Sequence, residues 1–394
     1  MMQQQEVQNR VSELDGIRGL AILIVFFYHL IVFASGLANS HVLRSPLVKL
    51  VDIGWIGVDI FFVLSGFLIT AILLKTRGET HYFRNFYARR VLRIFPLYYL
   101  VAVVVYIFLP FILVKGEILA VVQTSWPFSM LYLQNWLYIP KVSHYFDAGT
   151  PAFLGPTWSL AIEEQFYLIW PTVVYFFDRR KLFILSVMIL VFAFLTRVFL
   201  FFFARSWVSL EEFIHFSTVT RFDGFCVGAL IALAFESEEW KQKISRFGWP
   251  ILLCSLAGWI GITIATNNNL SVLAKNPYKN IWSYLLLALG SGALVVLALT
   301  QQPQSRIRIF FRNPILVFWG KYSYAIYILH IPIILILLKI MRDLGYRGDI
   351  AWFVFIVLGC TLTILCSLTT WHLLEKHVLK LKKYFASESE KAGG

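Results

Sequence analysis

The sequence predicts an all-α integral membrane protein, a bundle of about ten transmembrane helices with both termini in the cytoplasm. Apolar residues make up 59% of the 394 residues and charged residues only 14%, whereas soluble domains carry about 25% charged residues. The mean hydropathy of +0.71 agrees with this class. The polar stretches between the apolar runs are too short for a separate soluble domain, which needs about 50 residues or more.

Ten stretches are long and apolar enough to cross a bilayer, since a span takes about 20 mostly apolar residues. These windows are 15–36, 54–74, 94–114, 157–177, 182–203, 219–235, 249–266, 281–300, 315–339 and 350–374. A further apolar segment, 124–139, is short and rich in Trp and Tyr, which favours an interfacial or re-entrant piece. We therefore divide the chain into a cytoplasmic segment 1–14, a transmembrane domain 15–376 and a basic, partly disordered tail 377–394.

Lysine and arginine are distributed unevenly between alternate connections. With the N-terminus inside, 22 of the 35 basic residues lie in cytoplasmic segments and 9 in outside loops. Basic residues are enriched on the cytoplasmic side of membrane proteins. The distribution predicts cytoplasmic termini and a multi-pass protein of the inner (plasma) membrane. It also explains the net charge of +13 without a nucleic-acid partner.

The first span carries two ionisable residues within "GIRGLAILIVFFYHL". Arg18 and His29 are eleven residues apart, about 20° more than three full turns, so both lie on one helical face, about 16 Å apart along the axis. Ionisable residues inside a membrane are costly and mark functional sites by default. A cation at the cytoplasmic entrance and a titratable ring in the outer half suit a substrate that enters from one side and reacts near the other.

Other spans place ionisable residues at about the depth of His29. Because each would be costly against lipid, we expect them to face inward and pair. This polar layer consists of Asp59, Glu163, Glu164, Arg221, Asp223 and His330. A purely structural role in ion pairs is an equally supported alternative for Arg221 and Asp223. The histidines, cysteines and acidic residues show no metal-ligand spacing, so no metal site is predicted.

A cluster of arginines lies at the cytoplasmic entrance to the third span, in "FYARRVLRIFPLYYL". Arg89 and Arg93 share a helical face at i, i+4, and Arg90 lies beside them. Ordinary anchoring at the cytoplasmic side accounts for part of this charge. Guanidinium groups bind phosphates through paired hydrogen bonds, so these three residues and Arg18 predict a phosphate-binding entrance.

Six motifs in this order resemble the integral-membrane acyltransferase family 3, the O-acyltransferases of bacterial surface glycans. They are "LDGIRGLAILIVFFYH", "GVDIFFVLSGFLIT", "RRVLRIFPLY", "TWSLAIEEQFYLIWP", "RFDGFCVGALIA" and "YSYAIYILHIP", within about residues 12–376. The chain departs from the family pattern after Glu375, where "LLEKHVLK" lacks a proline. The extra soluble domain of many relatives is also expected to be absent.

The resemblance implies transfer of an acyl group, usually acetyl from acetyl-CoA, to a hydroxyl of an extracytoplasmic sugar or glycan, free or lipid-linked. Carried over by position, Arg18 and His29 would be the essential pair. The motif around Arg89, Arg90 and Arg93 would be the family's basic motif at the cytoplasmic end of the third span. Acyl-CoA would be a donor substrate, with no permanently bound cofactor.

The residues and the resemblance together give one mechanistic hypothesis. Arg18 and the Arg89–Arg93 cluster hold the phosphates of acyl-CoA, and the thioester lies near His29. His29 acts as general base towards the acceptor hydroxyl, or carries the acyl group itself as an acyl-histidine. Glu163 orients His29 or a water beside it. The competing class is a polytopic transporter or flippase of glycan precursors, which would use the intramembrane charges without acyl transfer.

Overall fold

Helices make up nearly all of the described structure. The computed structural model describes residues 12–38, 48, 51–108, 126–137, 154–203, 210–266 and 277–386. The helices are α1 (Ser12–Ala34), α2 (Gly57–Thr76), α3 (Tyr82–Val103), α4 (Gln134–Leu137), α5 (Trp158–Phe176), α6 (Arg179–Phe203), α7 (Leu210–Phe216), α8 (Thr218–Phe235), α9 (Glu238–Ala265), α10 (Pro277–Thr300), α11 (Arg306–Phe311), α12 (Pro314–Lys321), α13 (Ser323–Asp343), α14 (Asp349–Thr370) and α15 (Lys376–Leu379). Over these ranges no β-strand occurs. The predicted all-α fold class is confirmed.

Nine helical segments within the described ranges are long and apolar enough to cross a membrane. They correspond to nine of the ten predicted spans. The remaining one, 157–177, forms helix α5, in which Glu163 and Glu164 interrupt the apolar run. The fold is therefore an all-helical membrane bundle, with one polar helix among the apolar ones.

The predicted ninth span, 315–339, is two helices rather than one. Helix α12 ends at Lys321, and α13 begins at Ser323 after a break at Tyr322. A Cβ added to Gly320 would lie 1.9 Å from the carbonyl oxygen of Asp15, so α12 lies in direct backbone contact with α1. Hydropathy does not reveal this break because both pieces are apolar.

The predicted interfacial or re-entrant segment, 124–139, is described over 126–137. There it forms short helical pieces, including α4, and does not cross the bundle as a long helix. Its Gln134 is fully buried and donates a 3.1 Å hydrogen bond to Thr157, directly before α5. The described part thus agrees with a non-spanning piece.

The described part of the C-terminal tail is helical. After α15 the chain continues as a 3₁₀ helix, Lys380–Phe385, and both pieces pack against α3. The end of the predicted tail, 387–394, lies outside the described residues, as do residues 1–11 of the predicted N-terminal segment. The tail is therefore adjacent to the helix that carries the predicted arginine cluster.

Helices α2 and α8 are in close backbone contact. A Cβ on Gly66 would lie 2.1 Å from the carbonyl oxygen of Phe225, and a Cβ on Gly228 would lie 2.1 Å from that of Val63. Small residues permit this approach between helices in a membrane. The contact fixes the rotation of α2 and therefore the direction of Ser65, which precedes Gly66.

Helix α1 packs against α13 and α14 through an apolar cluster. Phe26 and Leu30 of α1 and Ile326 and Ile334 of α13 are buried in it. Because these residues flank His29 on α1 and His330 on α13, the cluster sets the two rings side by side.

Candidate functional site

A cavity of about 420 Å³ runs along one face of α2 and is closed by α1, α3, α5 and α13. Its lining extends from Val58 to Thr76 on α2, about 27 Å at 1.5 Å per helical residue. The volume is in the range of small-molecule sites. Five residues predicted for the site line this cavity: Arg18, Arg89, Arg90, Arg93 and Glu163.

One end of the cavity is strongly basic. The basic end consists of Arg18, Lys75, Arg89, Arg90, Arg93 and Lys382. Sequence reasoning missed Lys75 and Lys382 as site residues. Lys75 lies at the predicted cytoplasmic end of the second span, so the sequence could have indicated that it belongs to the basic end. Lys382 reaches the cavity only because the tail packs against α3.

Aromatic rings hold Arg90 within the basic end. Its guanidinium carbon lies 5.2 Å from the ring centroid of Tyr167 and 5.7 Å from that of Phe86. Contacts of this kind contribute about 0.5–1 kcal/mol at exposed sites and more when desolvated. They orient Arg90 without neutralising it, so its charge stays available to an anion in the cavity.

The carboxylate of Glu163 lies in the wall of the cavity and accepts hydrogen bonds from two hydroxyls. The donors are Ser65 on α2 and Tyr167 one turn further along α5. Sequence reasoning missed both hydroxyl residues because nothing in a single apolar helix shows which of its hydroxyls faces a carboxylate on another helix. The three side chains form a polar group midway along the cavity.

The expected contact between Glu163 and His29 is not formed. Glu163 is bonded to Ser65 and Tyr167, while the ring beside His29 is that of His330. Their centroids are 5.1 Å apart, because the packing of α13 on α1 brings the two histidines together. The structure pairs His29 with His330, and the expected role of Glu163 in orienting His29 or a water beside it stays a prediction.

The cavity ends just short of the two histidines. Tyr327 and Ser159 are part of its lining, whereas His29 and His330 are not. The hydroxyls of Tyr327 and Ser159 are 2.6 Å apart, and Tyr327 also donates to the carbonyl of Pro156. Since the ring centroids of Tyr327 and His330 are 5.8 Å apart, one residue separates the cavity from the histidine pair.

The remaining predicted polar residues form a separate buried group. Arg221 donates to Asp59 over 2.9 Å, and Arg197 donates to Asp223 over 2.6 Å. The two arginines are completely buried, and none of these four residues lines the cavity. Arg197 lies within the predicted span 182–203, and sequence reasoning gave it no role in the site.

The arrangement of these pairs favours the structural alternative. Arg221 bonds an aspartate of α2 rather than its sequence neighbour Asp223, so each pair joins two helices. The guanidinium of Arg221 also lies 4.2 Å from the ring centroid of Tyr284 on α10. Glu164 likewise lies outside the cavity lining, and its Oε1 is buried without a hydrogen-bond partner.

Over the described ranges of the chain, no group of three or more His, Cys, Asp and Glu side chains is placed to hold a metal ion. The cavity lining there contains cations, hydroxyls and two carboxylates, those of Glu79 and Glu163. Two imidazoles lie beyond Tyr327.

These observations define the chain as an all-helical membrane protein with an elongated cavity that is basic at one end. Comparison with known proteins narrows this class. The family model described as an acyltransferase domain matches residues 11–372. The chain belongs to this acyltransferase family, in agreement with the resemblance read from its motifs.

Two curated proteins show the degree of similarity. The peptidoglycan O-acetyltransferase OatA of Listeria monocytogenes is 31% identical over 337 residues, covering 82% of this chain and 49% of that protein. The O-acetyltransferase OatA of Staphylococcus aureus is 27% identical over 396 residues, covering 96% of this chain and 59% of that protein. The chain thus spans about half the length of these relatives. No solved structure matches it.

Proposed function

We propose that this chain transfers an acetyl group from cytoplasmic acetyl-CoA to a hydroxyl of a cell-wall glycan at the outer face of the plasma membrane. The observation that carries this proposal is the cavity along α2, which has cations at one end and approaches two histidines at the other. The similarity to O-acetyltransferases, one of them named for peptidoglycan, supports acetyl as the group and peptidoglycan as the acceptor.

The donor binds with its phosphates at the basic end and its thioester towards Tyr327. Six basic side chains line the cavity with Glu79 and Glu163, and one of them, Arg18, is paired with Asp15 at 3.1 Å. The remaining surplus of positive charge suits the several phosphate charges of a CoA thioester. Guanidinium groups bind phosphate through strong, charge-assisted hydrogen bonds. The elongated shape suits a donor whose charged and reactive ends are far apart.

His29 removes the proton of the acceptor hydroxyl, and the freed oxygen attacks the thioester carbonyl carbon. The new C–O bond forms as the C–S bond breaks, and the leaving CoA thiolate takes the proton from the imidazolium of His29. A positioned general base contributes about 10²- to 10⁴-fold to such a reaction. Movement of Tyr327 joins the cavity to His29 during this step.

The first test measures release of CoA thiol from acetyl-CoA by the purified full chain in detergent, with and without a soluble glycan acceptor. His29→Ala is expected to lower turnover by about 100-fold or more, with the dissociation constant of acetyl-CoA unchanged within about twofold. His372→Ala, at an exposed histidine next to α14, is the matched control and should retain native turnover.

Two results would contradict the proposal. If the native protein binds acetyl-CoA no better than an unrelated membrane protein does, acetyl-CoA is not the donor, and the transporter class is favoured. If His29→Ala retains native turnover, His29 is not the general base. Accumulation of an acetylated native protein, absent from the His29 variant, would instead establish the acyl-histidine route.

A further inference from the structure

We propose that His330 is a positioning residue that, together with the carbonyl of Val25, holds His29 in one tautomer and orientation, with the proton on Nδ1 and the reactive lone pair on Nε2. The inference rests on the proposed function, in which His29 is the base. It concerns a residue that does not line the donor cavity and that would act only through His29.

The tautomer of His330 follows from its two backbone neighbours. Its Nδ1 lies 2.8 Å from the carbonyl oxygen of Tyr327 and 3.1 Å from that of Ile326. Both oxygens can only accept, so Nδ1 carries the hydrogen. A neutral imidazole has one donor and one acceptor nitrogen, and His330 is completely buried. Its Nε2 is therefore an acceptor.

The tautomer of His29 is set by two acceptors, the backbone carbonyl of Val25 and Nε2 of His330. Nδ1 of His29 lies 3.3 Å from Nε2 of His330 and 3.0 Å from the carbonyl oxygen of Val25. Two acceptors face this one atom, so Nδ1 carries a hydrogen shared between them. In the opposite tautomer, the lone pair of Nδ1 would face two other lone pairs at these distances. Nε2 of His29 is left with the free lone pair.

The surroundings hold this arrangement in place. The ring of Phe26 lies 6.1 Å and that of Tyr327 lies 5.8 Å from the ring of His330, centroid to centroid. His29 itself is only partly buried, so its free nitrogen is accessible to a substrate. When His29 takes up a proton, the Nδ1 hydrogen bond to His330 gains strength because the donor is then charged.

The test compares His330→Gln with His330→Met in the full chain. Gln and Met have nearly the same length, but only Gln presents an oxygen that can accept from Nδ1 of His29. We expect His330→Met to lower kcat by about 10- to 100-fold, part of what a general base supplies, with the KM for acetyl-CoA within about twofold of native. His330→Gln should recover kcat to within about fivefold of native.

A double variant separates positioning from packing. In the His29→Ala background, His330→Met should change the residual turnover by less than about twofold, because it acts only through His29. Native kcat in His330→Met would overturn the inference while leaving the proposed function intact. Equal losses in the Met and Gln variants would also overturn it, since the acceptor atom would then be irrelevant.

Two further outcomes are decisive. If His330→Met does not fold, as judged by thermal unfolding and acetyl-CoA binding, His330→Gln decides alone, and a kcat more than about tenfold below native overturns the inference. If His29→Ala itself keeps native turnover, the proposed base fails and the role of His330 fails with it.

Discussion

Arginine occupies two regions of this bundle in opposite ways. In the basic end of the cavity, arginines from α1 and α3 gather with two lysines beside few acidic groups. In the buried group, Arg197 and Arg221 are each matched by one aspartate on another helix. The cavity has more basic than acidic side chains in its lining, whereas each arginine of the buried group is matched by one aspartate, so the two regions differ in their local charge balance.

The largest effect is expected in the buried group. Arg221→Met leaves Asp59 as an unpaired buried carboxylate, and breaking such a pair costs about 3–5 kcal/mol of stability. The double variant Arg221→Met with Asp59→Leu should regain most of that loss, because no charge then remains unpaired. Thermal unfolding in detergent measures both. Equal stability of the native protein and Arg221→Met would contradict the structural role of the buried arginine.

A smaller effect, on binding rather than stability, is expected at the basic end. Arg90→Ala should weaken acetyl-CoA binding by about tenfold, in line with one charge-assisted hydrogen bond of about 1.5 kcal/mol, while the unfolding temperature stays within about 2 °C. Arg180→Ala, at an exposed cation outside the cavity, is the control. A loss of stability as large as that of Arg221→Met would mean that the cavity arginines are structural as well.

The smallest effect is expected for Lys382→Ala. A lysine is a mobile, strongly hydrated point charge, so its removal should raise the KM for acetyl-CoA by about two- to threefold and leave kcat unchanged. Raising the salt concentration should reduce the difference, because salt screens interactions between exposed charges. An unchanged KM at low salt would exclude the tail from donor binding.

Much of the bundle was predictable because hydropathy and helical periodicity depend only on residues that are close in sequence. They placed Arg18, the Arg89–Arg93 cluster and Glu163 at positions that the structure brings onto one cavity. The rotation of one helix against another depends on contacts between residues that are far apart in sequence. For that reason the contact of His29 with His330 and the bonds of Glu163 to Ser65 and Tyr167 were not predicted.

The failures elsewhere have the same origin. The break at Tyr322 follows Gly320 and Lys321, a short interruption that sequence reasoning placed inside one span. Tyr327 carries no charge and resembles the many aromatic residues of a membrane protein, although it ends the cavity. Arg197 and Asp223 lie 26 residues apart in sequence, and their pairing depends on how α6 packs against α8.

The closure at Tyr327 and Ser159 has a consequence for the cell's energy supply. A cavity that follows α2 for nearly the thickness of the bilayer would, if open at both ends, let ions flow down the membrane potential. Each elementary charge that leaks dissipates about 2.3 kcal/mol per 100 mV. The hydrogen bond between these two hydroxyls lies at the Tyr327 end of the cavity, where we expect it to limit the passage of ions across the membrane.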